Sequence, residues 1–219
     1  MRLPGVVPVR LVLADDEPLL RRGLRVLLEA DGRVQVVAEA ADGAALLDAV
    51  RATSPDVALV DVQMPGVDGL TALRTLLSRP DPPAVAVLTT FDLDDYVATA
   101  LDLGAQGFLL KDAEPEALIR AVVDLAAGGA VLDPRITARL LPKLRGGRLK
   151  SNTQLDSLST RERQVLALVA DGHPNAVIAA ELGLSEATVK SYVSTVLMKL
   201  GVDNRVQAAL VAHRVGGTW

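Results

Sequence analysis

Asp15 and Asp16, Asp61, Thr89 and Lys111 stand where four short apolar runs stop: VRLVLADD, VALVDV, AVAVLTT and GFLLKD. In an open parallel sheet the carboxyl ends of the strands share one edge, and ligands bind along it. Polar groups scattered over about a hundred positions then meet in one cleft. Three carboxylates, a hydroxyl and an ammonium suit a divalent cation and a phosphoryl group. Asp61 is the expected nucleophile, because a strand-end carboxylate can attack phosphorus and form an acyl phosphate. Asp15, Asp16, Asp61 and the backbone carbonyl near Gln63 offer the hard oxygen ligands that Mg²⁺ prefers. Lys111 and Thr89 can hold phosphoryl oxygens by charge and by a hydroxyl hydrogen bond. Taken singly, each residue has a plainer role. A strand-end Asp caps helices, Thr89 fits a strand as a β-branched residue, and Lys111 suits a solvated surface. The joint pattern, one polar group at the end of each run, favours the pocket.

The elements that must position these groups alternate along the first half. Strands are predicted at Val9–Ala14, Val34–Ala38, Val57–Val60, Ala84–Thr89 and Gly107–Leu110. Helical spacing of apolar residues predicts helices at Pro18–Ala30, Asp42–Ala52, Gly69–Leu77, Asp94–Leu103 and Pro115–Ala127. Five strand–helix units with continuously apolar strands imply a parallel sheet covered on both faces. Gly128–Gly129 ends the last of these helices. A further helix is expected over Asp133–Leu144, capped by Asp133, and a flexible linker over Gly146–Asp156. The remainder reads as helices at about 159–171, 174–182, 185–200 and 203–214. Ser159 with Glu162 matches a capping box, and Asp203 is the expected cap of the last helix.

Composition narrows the chemistry. With 219 residues the chain fits two small domains. The 2% aromatic content calls for an aliphatic core, and the absence of Cys excludes disulfides and thiolate chemistry. The two histidines, His173 and His213, are far in sequence from the acidic residues, which argues against a His-based zinc site. No apolar run approaches the roughly 20 residues of a membrane span, so a cytoplasmic protein is expected. Net charge is −4, unevenly spread: −10 over residues 1–134, +6 over 135–150 and zero over 151–219. The basic connector is either a solvated helix face or a segment that works near DNA or the other domain.

Residues 8–130 resemble the receiver domain of a two-component response regulator through LVLADDEP, ALVDVQMPGVDGL, VAVLTTFD and GAQGFLLKD. The resemblance implies that Asp61 accepts a phosphoryl group from a sensor histidine kinase's phosphohistidine. It also implies Mg²⁺ at Asp15, Asp16 and Asp61, and phosphoryl contacts from Thr89 and Lys111. Phe108 falls at the family's switch aromatic, three residues before the lysine; core filler is its plainer reading. Asp112 stands where many members have Pro.

In the tail, Asn175–Leu182 and the helix beginning after Ser185 flank a short turn at Gly183–Leu184. Val189, Val193, Val196, Leu197 and Leu200 make an apolar stripe. Thr188, Lys190, Ser191, Ser194 and Thr195 make a small polar face, as expected of a helix entering a major groove. An ordinary helical bundle with a solvated face is the alternative. LSTRERQVLALVADG, IAAELGLSEATVKSYV and KLGVDNRVQA resemble the LuxR/FixJ-type helix-turn-helix. By that resemblance Thr188, Lys190, Ser191 and Ser194 face DNA, with Asn175, Ser185 and Lys199 as further phosphate contacts. Tyr192 replaces the common histidine, and Ser191 and Ser194 are short where longer or basic side chains are frequent.

The expected architecture is a doubly wound α/β domain with a five-stranded parallel sheet, flavodoxin-like, followed by an all-α four-helix LuxR-type domain. The expected boundaries are 1–130 for the receiver, 131–156 for a linker with a basic helix, and 157–219 for the DNA-binding domain. The chain resembles the NarL/FixJ response regulators, which implies promoter DNA and a sensor histidine kinase as partners and a homodimer on activation. A regulator of the same fold controlled by protein or small-molecule binding is the first rival. A phosphohydrolase is the second, but it would often carry an Asp two residues after the nucleophile, where this chain has Gln63.

Overall fold

A computed structural model describes residues 7–89, 94–133, 135–137 and 153–214. The basic stretch beyond residue 137, most of the expected linker and the first six residues lie outside the described residues. The chain divides into two compact units, residues 1–126 and 127–219.

The first unit alternates β1 (Val9–Ala14), α1 (Pro18–Leu28), β2 (Val34–Ala40), α2 (Gly43–Thr53), β3 (Val57–Asp61), α3 (Gly69–Leu77), β4 (Ala84–Thr89), α4 (Asp94–Leu103), β5 (Gly107–Leu110) and α5 (Pro115–Ala126). The sheet order is β2-β1-β3-β4-β5, and a two-residue strand, β6 (Val131–Leu132), follows α5 in the chain. The expected five strands are therefore six. A two-residue strand is too short to show any periodicity in sequence. The pairings among β1 to β5 are parallel.

β3 and β5 are buried along their whole length, as strands covered by helices on both faces must be. Leu24 and Leu28 of α1, Leu46 and Val50 of α2, Leu73 and Leu76 of α3, and Leu118, Val122 and Leu125 of α5 supply the cover. Each such side chain contributes about 1.5–3 kcal/mol by leaving water. Asp42 and Asp68 cap α2 and α3, accepting from Ala45 N at 2.8 Å and Thr71 N at 2.7 Å.

Register brings the strand ends level. Ala14 pairs with Val60, Asp61 with Leu88, and Thr89 with Leu110. Asp15 and Lys111 therefore follow directly on residues already aligned with Val60 and Thr89. The order reverses between β1 and β3, and that crevice is where open α/β sheets take ligands.

The second unit holds α6 (Thr153–Asp156), α7 (Thr160–Ala170), α8 (Asn175–Leu182), α9 (Glu186–Leu200) and α10 (Arg205–Arg214). The expected four helices are joined by the single turn α6, inside what was expected to be flexible linker. Leu155 and Leu158 explain it, because both are buried against Leu166, Val196 and Leu200. A second cluster joins Val165, Ile178, Val189 and Ala209. Gly183 closes α8 in the left-handed conformation at φ +63°. Asn204, not Asp203, caps α10: its side chain accepts from Gln207 N at 2.9 Å, because the helix begins one residue later than expected.

At the start of α7 the capping box is complete, and Glu162 does more than cap. It accepts from Ser159 N at 2.7 Å and holds Lys199 Nζ at 2.9 and 2.7 Å. The Lys199 hydrogen bond, then the cap, hold the Glu162 carboxyl below its usual value. A depressed carboxylate stabilises above its unfolded value and loses that contribution as pH falls through the folded one. Glu162→Gln should therefore cost about 2 kcal/mol at neutral pH. In urea titrations the gap between variant and wild type should close below about pH 4.

Candidate phosphoryl pocket and nucleic-acid interface

Lys111 is the hub of the strand-end cluster. Its Nζ lies 2.7 Å from Asp61 Oδ2 and 2.8 Å from Asp15 Oδ2, with Glu17 Oε1 further off at 3.7 Å. Side-chain exposure is 8% for Lys111, 6% for Asp61 and zero for Asp15. Desolvation alone would weaken the lysine's hold on its proton. The bonds to Asp15 and Asp61 outweigh it, and the Lys111 pKa ends above its ordinary value. Burial pushes the Asp61 carboxyl up, against the pull of Lys111 and of Gln63 N, which donates to Asp61 Oδ1 at 3.2 Å. One ammonium thus serves two buried carboxylates, and its hydrogen bond goes to Asp61. Asp15 Oδ2 meets Lys111 as an ion pair but lacks a well-angled hydrogen bond.

That shortfall of positive charge suits a cation-binding group. Carboxylate oxygens of Asp15, Asp16 and Asp61 lie within 4.8 Å of one another. Hard oxygen ligands around an under-compensated negative site suit Mg²⁺. Asp16 is exposed and gives the group an open side. Thr89 is buried at the end of β4, and Lys111 N donates to its carbonyl at 2.9 Å. The structure thus places Asp15, Asp16, Asp61, Thr89, Lys111 and the Gln63 backbone at one sheet edge. Phe108 is fully buried on β5, beside Val87.

Glu17 was not singled out from sequence, yet its N–H donates to Asp15 Oδ1 at 2.9 Å and its carboxylate faces Lys111. The unbroken Asp-Asp-Glu triplet was the available signal. Arg21, which donates to the Asp15 carbonyl and pairs with Glu39, gave none, because one acceptor is backbone and the other lies 18 positions away.

In the helical unit, α9 begins at the cap Ser185, whose Oγ accepts from Thr188 N at 3.1 Å. Lys190, Ser191 and Ser194 are exposed, and Thr188 is half-buried. Lys199 stands apart from them, committed to Glu162 and to the Ser157 carbonyl. Asn175 Oδ1 accepts from Arg205 Nη1 at 2.8 Å. Arg205 also donates to the carbonyls of Gly128 and His173, and burial lowers its pKa to about 10. Arg161 and Arg163 donate to the Leu182 and Leu158 carbonyls. Lys199, expected as a phosphate contact, and Arg161, Arg163 and Arg205 are thus engaged by partners inside the unit. Lys190 is the exposed cation on α9.

Comparison with known proteins agrees with both halves. Residues 11–123 match the response regulator receiver domain, and residues 156–212 match the bacterial regulatory proteins of the luxR family. The nitrate/nitrite response regulator protein NarL of Escherichia coli K12 is 37% identical, over 94% of this chain and 96% of its own. The DNA-binding transcriptional activator DevR/DosR of Mycobacterium tuberculosis is 42% identical, over 93% and 94%. The structure of RcsB from Salmonella enterica serovar Typhimurium, bound to a promoter in the presence of a beryllofluoride phosphomimetic, superposes with a TM-score of 0.58. It is 30% identical, over 95% of this chain and all of that one. Among the described residues no helix is long and apolar enough to cross a membrane. A receiver-type acidic pocket joined to a LuxR-type helix-turn-helix, with relatives matched nearly end to end, places the chain in the NarL/FixJ family of two-component response regulators, which are DNA-binding regulators of transcription.

Proposed function

We propose that Asp61 is the phosphoacceptor through which a sensor histidine kinase controls promoter binding by this chain. The carrying observation is the single ammonium of Lys111 shared between the buried carboxylates of Asp15 and Asp61. An Asp61 oxygen attacks the phosphorus of a phosphohistidine, the P–N bond breaks, and the imidazole leaves with the bond's electron pair and takes up a proton. The product is an acyl phosphate on Asp61. Lys111 then exchanges its Asp61 contact for a phosphoryl oxygen, and the Thr89 hydroxyl donates to another. Mg²⁺, held by Asp15, Asp16, Asp61 and the Gln63 carbonyl, would offset the repulsion between carboxylate and phosphoryl group. New contacts at Thr89 and Lys111 bias a two-state receiver, with Phe108 in β5 on the route outward. The activated receiver pairs with a second copy, and two helix-turn-helix units meet two half-sites.

Acetyl phosphate supplies the test. With Mg²⁺ the chain should take up one hydroxylamine-labile phosphoryl group, and borohydride reduction should mark Asp61. No label, or label elsewhere, would overturn the proposal and leave control by a bound protein or small molecule.

The pocket also fixes a pH and metal dependence. With its pKa raised, Asp61 holds its proton more tightly folded than unfolded. Its ionisation therefore costs stability as pH rises from the ordinary carboxylate range through the raised value. Mg²⁺ binds the ionised form, so 10 mM Mg²⁺ should raise the receiver's thermal midpoint more at pH 7.5 than at pH 4.5. Differential scanning calorimetry with Mg²⁺ or EDTA at both values checks this.

A further inference from the structure

Ala187, Lys190, Ser191, Ser194, Thr195 and Met198 recur along α9 at three- and four-residue spacing and share its outward face. The opposite face is spent on the two cores through Val189, Val196 and Leu200. On the outward face the hydroxyl protons are already committed. Ser191 Oγ donates to the Ala187 carbonyl at 3.2 Å, Ser194 Oγ to Lys190 at 3.0 Å, and Thr195 Oγ1 to Ser191 at 3.0 Å. A hydroxyl has one proton and two lone pairs, so each oxygen now offers acceptors to whatever approaches. Flanking them stand the Ala187 methyl and Met198, which is 74% exposed. Lys190 is the one strong donor.

In the major groove, guanine presents two acceptors, adenine an acceptor and the N6 amino donor, thymine an acceptor and a methyl group, and cytosine the N4 amino donor. A face of acceptors and methyl groups matches an A·T pair at both its amino and its methyl edge. A G·C pair likewise offers one amino donor and two acceptors but no methyl group, so the Ala187 and Met198 contacts decide for A·T. We infer that α9 reads A·T-dominated half-sites, with the Ser191, Ser194 and Thr195 oxygens accepting from adenine amino groups. Ala187 and Met198 contact thymine methyls, and Lys190 reads at most one guanine per half-site. This rests on α9 being the helix that enters the groove.

The test uses the full chain with Mg²⁺ and beryllofluoride to select duplexes from a random-sequence library. The enriched duplex is then rebuilt with purine for adenine, uracil for thymine and 7-deazaguanine for guanine, one position at a time. Purine should weaken binding about 10-fold at one or more adenines. That loss should vanish in Ser191→Ala or Ser194→Ala, both exposed positions whose truncation leaves the cores untouched. Uracil should weaken binding at one or more thymines, and 7-deazaguanine at one guanine at most, an effect absent in Lys190→Ala. Two or more sensitive guanines in a half-site, or adenines indifferent to loss of the amino group, would overturn the inference while leaving DNA binding intact. No enrichment of any sequence would instead contradict the groove-entering role of the helix-turn-helix itself.

Discussion

Asp61→Asn should lose the gain in promoter affinity that beryllofluoride and Mg²⁺ confer on the wild type, a gain expected to be at least about 10-fold, or 1.4 kcal/mol. The amide is nearly isosteric but cannot form the acyl phosphate or bind the fluoride complex as a carboxylate does. It also leaves Lys111 with Asp15, at 2.8 Å, and the more distant Glu17, at 3.7 Å, as its carboxylate partners. The same variant should be more stable than wild type in Mg²⁺-free buffer at neutral pH. Burial raises the Asp61 pKa, so the ionised carboxylate costs the folded state free energy that the amide does not. A more stable protein that cannot switch separates function from folding in one substitution. Fluorescence anisotropy on selected promoter DNA, paired with thermal melts, reads both. A variant that still gains affinity would place the switch elsewhere.

Gly69→Ala should have the largest effect on stability. A methyl group on Gly69 would lie 2.0 Å from the Asp61 carbonyl oxygen and 2.9 Å from Val62 Cα. Both are backbone atoms at the end of β3, where Gly69 N donates to the Val62 carbonyl at 3.0 Å. Neither α3 nor β3 can yield without displacing Asp61. The expected loss is at least about 3 kcal/mol. Gly23→Ala is the matched control, because Gly23 is exposed within α1 with nothing within 4 Å of the added carbon. There alanine should stabilise by about 0.5–1 kcal/mol through helix propensity. Urea unfolding of both variants checks the contrast. Equal effects would mean that the close approach of α3 to β3 does not constrain the pocket.

The strand ends were legible in sequence because each is marked twice, by an apolar run and by the polar residue that stops it. Register then needed no further information: once Val60 lies beside Ala14, Asp15 and Asp61 are neighbours. Elements shorter than a period were not legible. β6 has two residues, and α6 is one turn whose signal is Leu155, a lone apolar residue in polar sequence. Asp203 and Asn204 are both good caps, and choosing between them needs a boundary to within one residue. Lys199 read as a surface cation because its partner, Glu162, lies 37 positions away. Arg205 gave no signal for the same reason, since its acceptors are mostly backbone carbonyls. Long-range pairing redistributes charge that composition can only count, which is why, among the described residues of the helical unit, fewer cations are free than the sequence suggests.

Sedimentation velocity of the full chain, with and without Mg²⁺ and beryllofluoride, tests most directly whether the strand-end cluster is the input of a switch. Wild type should shift to the dimer when both are present and with neither alone, and Asp61→Asn should not shift. An unchanged wild-type coefficient, or an equal shift in the variant, would contradict a phosphoryl-driven switch at Asp61.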